Sequence, residues 1–142
     1  MNQGTIVYTV NRQGVQDSFT ASGNALTDDP LVLLVNKGTA SASEILAGAL
    51  KDNGRATLVG EKTFGKGLIQ SLFELPDGAG LAVTVAKYET PNHNDIHKLG
   101  IQPDKVVTQE PISYGQIATK DDVQYEAAVE LLTGNSVLAD AS

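Results

Sequence analysis

The chain has 142 residues, enough for one domain with a real hydrophobic core. With 41% hydrophobic and 19% charged residues it has an ordinary globular composition, and a formal net charge of −7 with no run of Lys or Arg leaves no basic face for nucleic acid. No stretch approaches the roughly 18–20 apolar residues that cross a bilayer, and the lack of Cys excludes disulfides and thiolate chemistry.

The opening "MNQGTIVYTV" lacks a charged region followed by an apolar one, so it does not read as a signal peptide. Residues 5–21 read as a hairpin turning at Arg12-Gln13-Gly14. Residues 22–30 are a polar loop. "LVLLV" (31–35) is continuously apolar, which predicts a central strand buried on both faces. Residues 41–54 predict a helix whose apolar side carries Ile45, Leu46, Ala49 and Leu50, with Gly54 as its stop. Residues 56–60 are a short strand, and 68–75 and 81–88 form a second hairpin around "PDGAG". A polar loop with Pro91 and Pro103 follows over 89–105. Residues 121–134 predict a second helix ending at Gly134, with 135–142 a flexible tail. Together these elements predict a single α/β domain with a mixed β-sheet and flanking helices.

"GEKTFGKG" (60–67) is one residue away from the phosphate-loop pattern G-x-x-x-x-G-K-[ST]. Gly67 stands where the magnesium-holding Ser or Thr belongs, and a strand rather than a helix is expected next. A phosphate loop needs that helix N-terminus, so nucleotide binding is disfavoured. Lys66 then reads either as a solvated loop lysine or as a general base. A base must shed its proton, which requires a dry pocket and a neutral hydrogen-bond partner. Gln70 fits the partner's role if 66, 68 and 70 share a strand face.

A base needs a nucleophile. "NKGTASASEIL" (36–46) joins the apolar strand to the first helix, and a serine there meets outward N–H groups and the positive end of the helix dipole. The logic is that of a nucleophile elbow without the G-x-S-x-G spelling. Ser41-x-x-Glu44 also spells a capping box, in which Ser41 or Ser43 merely caps the helix for about 1 kcal/mol. His93 and His97 offer a metal or a Ser–His–Asp alternative. Their spacing of four suits a metal only on a helix, and Pro91, Asn92, Asn94 and Gly100 argue against one.

"GTASASEILAGALKDNGRATLVGEKTFGKGLIQS" and "GLAVTVAKYETPNHNDIHKLGIQPDKVV" together resemble the C-terminal processing peptidases, or tail-specific proteases, over residues 4–133. The resemblance implies a ClpP/crotonase-like core and a serine endopeptidase with a Ser–Lys dyad and no cofactor or metal. It implies that Ser41 is the nucleophile, Lys66 the general base, Gln70 the residue that orients Lys66, and the Ala42 N–H an oxyanion-hole donor. Ser43 and Glu44 remain helix-cap residues, so Glu44→Ala is expected to cost about 1 kcal/mol and leave activity intact. Asp52 reads as a surface residue. The partners implied are proteins with apolar C-terminal tails. The compartment implied is the periplasm or the thylakoid lumen, where such enzymes trim a photosystem II reaction-centre precursor. The family also carries an N-terminal helical region, a PDZ domain and an Asn-Pro-Gly-Gly turn that supplies a second oxyanion donor. None of these is in the sequence. The chain is therefore expected to be a fragment of the catalytic core. Alone it should be weakly active or inactive, or serve only as a binding or structural module.

Overall fold

The computed structural model describes residues 1–14 and 16–139. The chain runs β1 (Thr5–Asn11), β2 (Gln16–Thr20), β3 (Val32–Val35), α1 (Ala42–Asp52), β4 (Thr57–Gly60), β5 (Leu68–Glu74), β6 (Gly80–Glu89), β7 (Lys105–Val106), a short 3₁₀ turn and α2 (Val123–Ala139). The α/β class is as expected, but the strands divide into two sheets. The first is antiparallel in the order β2-β1-β6-β5; the second is parallel in the order β3-β4-β7.

Both hairpins form where the turn residues put them, with Gly14 and Gly78 at positive φ. The "LVLLV" run departs from expectation. β3 is an edge strand of the parallel sheet, and Leu34 stays 40% exposed. A continuous apolar run marks a strand but cannot say how many neighbours cover it.

α1 forms as the periodicity predicts and buries Ala49 with Ile45 against the core as expected, but its inward side is rotated towards Glu44 and Ala47. Glu44, Ala47, Gly48 and Ala49 face inward, and Leu46 is 53% exposed. Small residues win that face because it is tight: a Cβ on Gly48 would lie 3.0 Å from Thr90 Cγ2. The core itself is Val35, Ala47, Leu58, Ile96 and Ile101, with Leu33, Ile45 and Tyr88 packed against it. It joins α1, the parallel sheet and the loop that leaves β6.

α2 passes through Gly134, the expected stop. A helical glycine costs about 1 kcal/mol against alanine, which lowers stability without ending a helix. The helix starts where Asp122 accepts the N–H groups of Ala118 and Tyr125. Burial pushes the Asp122 carboxyl up, but those bonds and contacts with Gln109 and Gln124 outweigh it and hold it below its usual range. The expected tail at 135–142 overlaps the helix, and 140–142 lie outside the described residues. No helix among the described residues is long and apolar enough to cross a membrane.

The loop after β6 is fastened by charge. Lys87 Nζ lies 2.8 Å from Asp95 and 3.0 Å from Glu89. Its hydrogen bonds to the accepting carboxylates of Asp95 and then Glu89 raise the Lys87 pKa. Burial pushes Asp95 up, but the Lys87 hydrogen bond, the His97 N–H and the charges of both residues carry it below its usual range. A carboxyl depressed in the fold contributes stability above its unfolded pKa and loses it as pH falls through the folded one. A raised lysine contributes below its unfolded pKa and loses it as pH rises through the folded one. Protection of the Ile96 and Gly100 amides from hydrogen exchange should therefore be flat near neutrality. It should fall only below the ordinary carboxylate range and above the ordinary lysine range, and Asp95→Asn should remove the acid limb.

This loop also lies hard against "FGKG". A Cβ on Gly67 would come within 2.5 Å of the His97 N and 3.0 Å of the Ile96 C. Gly67→Ala should cost about 1–3 kcal/mol in urea unfolding. Gly115→Ala, which meets nothing within 4 Å, should cost far less.

Candidate active site

Ser41 sits between β3 and α1, on a strand–turn–helix bend. Its backbone angles are φ 58° and ψ −121°. Those are the angles of the first central residue of a type II′ turn, a place that favours glycine. The Ser43 N–H closes the turn on the Ala40 carbonyl at 3.2 Å. A serine held there stores on the order of 1–3 kcal/mol. The expected capping-box arrangement is present: the Glu44 carboxylate takes the Ser41 N–H at 2.9 Å and the Ser41 side chain faces the Glu44 N–H, but the hydroxyl makes no cap hydrogen bond, and that N–H goes to the Ser41 carbonyl at 2.8 Å. The hydroxyl makes no hydrogen bond among the described residues. Among the described residues no acceptor takes the N–H of Ala42, the first helical residue.

Lys66 lies in the loop that leads from β4 into β5. The element after that loop is a strand, so the phosphate-loop geometry is not built. Gly65 has φ 91°, and a Cβ there would lie 3.0 Å from the Lys98 backbone. The two glycines therefore let the lysine loop thread between the Ser41 turn and residues 96–100. Lys66 itself is exposed, and its ammonium makes no hydrogen bond or ion pair among the described residues.

One residue joins the two halves. Glu44 is 0% exposed. Its Oε2 accepts the N–H of Ser41 at 2.9 Å and the N–H of Lys66 at 2.8 Å. Its Oε1 accepts the Thr63 hydroxyl at 2.5 Å and the Gly65 N–H at 2.6 Å. Thr63 Oγ1 in turn accepts the Ile101 N–H at 2.7 Å. Glu44 caps the helix through the Ser41 N–H as expected, but it also binds three further donors that a cap worth about 1 kcal/mol does not include. Glu44→Ala would orphan four buried or half-buried donors, at about 1–3 kcal/mol each. The sequence carried the S-x-x-E spelling but no sign that 19 to 22 residues further on the chain would return to the same carboxylate. Thr63 was missed for the same reason.

Gln70 does not share a strand face with Lys66, because Lys66 precedes the strand. It stands on β5 opposite Thr84, beside a bulge, exposed and without a hydrogen bond to Lys66. Ser43 is exposed, on a surface hollow shared with Leu34 and Leu46. Asp52 ends α1, 11 residues long and so about 16 Å from Ser41 at 1.5 Å per residue, and accepts the Asn92 N–H at 2.9 Å. His93 stacks on Tyr8 with ring centroids 4.3 Å apart, and its Nδ1 lies 3.5 Å from Glu89. Neither His93 nor His97 makes a hydrogen bond with Ser41. No cluster of three metal-type ligands occurs among the described residues.

The model for Peptidase family S41 matches residues 1–107. A carboxyl-terminal-processing protease of Synechocystis is 74% identical over 140 residues, which cover 99% of this chain and 33% of that protein. Carboxyl-terminal-processing peptidase 2, chloroplastic, of Arabidopsis thaliana is 63% identical over 73% of this chain and 21% of its own length. A solved photosystem II D1 C-terminal processing protease superposes with a TM-score of 0.74 at 52% identity, covering 76% of this chain and 28% of that one. The chain spans about a third or less of the length of these relatives. Matched by the family model over three-quarters of its length and by relatives of this identity, the chain belongs to peptidase family S41.

Proposed function

We propose that this chain supplies the nucleophile and the base of a carboxyl-terminal-processing serine peptidase. The observation that carries the reading is the Ser41 turn: a non-glycine residue at φ 58°, its hydroxyl unspent, with its N–H on the same carboxylate oxygen as the Lys66 N–H. Strain of this kind persists where the surrounding structure over-determines it, as nucleophile elbows do.

In this reading neutral Lys66 takes the proton of the Ser41 hydroxyl as Oγ bonds to the scissile carbonyl carbon. The carbonyl oxygen becomes an oxyanion and meets the free Ala42 N–H at the start of α1, where the helix dipole favours negative charge. Collapse breaks the C–N bond, and Lys66 returns its proton to the leaving amine. Water, deprotonated by Lys66, then frees the acyl group from Ser41. Gln70 orients Lys66 once substrate or further chain closes over the exposed ammonium. The substrates are protein C-terminal tails. The names of the relatives support a photosystem II reaction-centre precursor as one of them, and their cyanobacterial and chloroplastic origin supports the thylakoid lumen or periplasm as the compartment.

The test is a chimera in which this chain replaces the aligned segment of the Synechocystis protease. Ser41→Ala and Lys66→Ala should each abolish cleavage of a tailed substrate without unfolding the chimera. Lys66→Arg should also be inactive, since a guanidinium stays charged. A fluorophosphonate should label Ser41. If Ser41→Ala cleaved at the parental rate, the assignment would fail. The 142-residue chain by itself should be slower than the chimera, on the order of 100- to 1000-fold if one oxyanion donor is wanting.

A further inference from the structure

We propose that Glu44 is a positioning residue that sets Ser41 and Lys66 against each other, a role that rests on the dyad proposed above. Four donors converge on Glu44: the N–H groups of Ser41, Gly65 and Lys66 and the hydroxyl of Thr63. The Thr63 hydroxyl donates to Glu44 while its oxygen accepts the Ile101 N–H. An ionised carboxylate offers about four lone-pair sites and no proton, and it is the side chain that matches this set.

The division between the two oxygens matters. Oε1 takes Thr63 and Gly65, which lie in the lysine loop. Oε2 takes one donor from the nucleophile turn and one from the lysine. The Ser41 and Lys66 nitrogens therefore meet on one atom, and neither can shift without pulling the other. The lysine loop has other fastenings: Phe64 N–H to the Thr39 carbonyl at 2.9 Å, Thr63 N–H to the Ile101 carbonyl at 3.1 Å, and Lys98 N–H to the Gly65 carbonyl at 2.9 Å. These hold the loop to the fold, and Glu44 fixes its register against Ser41. By taking the Ser41 N–H, Glu44 also holds the residue at positive φ while its hydroxyl stays free of capping.

The test uses Glu44→Gln and Glu44→Asp, in the chimera and in the 142-residue chain. Glutamine has the same shape, but whichever way its amide turns it aims an NH₂ group at two donors. Aspartate keeps every acceptor and loses one methylene of reach. For Glu44→Gln we expect kcat to fall about 100-fold, the penalty of a displaced catalytic group, with KM little changed. Exchange protection of the Ser41 and Lys66 amides should be lost together. Glu44→Asp should recover part of both. A Glu44→Gln enzyme with parental kcat would overturn the proposal. So would protection lost at one amide and kept at the other, or a loss of activity that follows global unfolding and that Asp does not relieve. If Ser41→Ala still cleaved, the dyad would be wrong, and the paired amide protection would still decide whether Glu44 couples the two loops.

Discussion

A carboxylate shut away from water must be met by donors, and the donors that meet Glu44 come from both sides of the site. The cost of burying the charge is offset only while all of them stay in place. The helix start, the Ser41 turn and the lysine loop are thereby made conditional on one another. Each could form alone in some other protein. Here the geometry of each is supported by the satisfaction of the same two oxygen atoms. The consequence extends through the Thr63 hydroxyl to Ile101, which belongs to the hydrophobic core. Polar organisation of the site and apolar packing of the domain therefore share a residue pair, Thr63 and Ile101, as their point of contact.

The Ser41 backbone shows what this support is for. A residue at positive φ with a side chain relaxes unless its neighbours forbid it. The turn is closed by Ser43 on Ala40, the helix begins immediately after it, and the Glu44 carboxylate holds the Ser41 N–H. The same three contacts leave the hydroxyl and the Ala42 N–H without partners among the described residues. A bend that satisfies its own polar groups elsewhere is a bend that can offer two of them to a substrate.

Much of this was legible from sequence, for reasons that can be named. Hairpins carry their turn chemistry locally, so β1–β2 and β5–β6 lie where Gly14 and Gly78 put them. The serine on a strand-to-helix turn was readable because an apolar run, a small-residue turn and a helical period follow one another. What failed was whatever depends on distant chain. The number of strands beside "LVLLV" is not encoded in it, and β3 proved to be an edge. The inward face of α1 was legible only in part because Gly48 and Glu44 are inward for reasons supplied by Thr90 and by the lysine loop. Gln70 was placed on a shared face with Lys66 on the assumption that the strand starts at the lysine. It starts at Leu68, and a bulge follows Ile69.

The second hairpin leaves an unfinished border. β5 is the last strand of its sheet, so one row of its main-chain groups lacks a neighbouring strand. On the face beside it Phe73 stands opposite Leu81, and Val83 and Val85 continue the strip, each between 38% and 50% exposed. An open edge next to an apolar strip is a template for a further strand. The acidic surplus of the chain opposes such pairing between copies by mutual repulsion, and dissolved salt weakens that repulsion at separations beyond roughly 8–10 Å. The colloidal state of the chain is thus set by a contest between a short-range adhesive border and a longer-range charge.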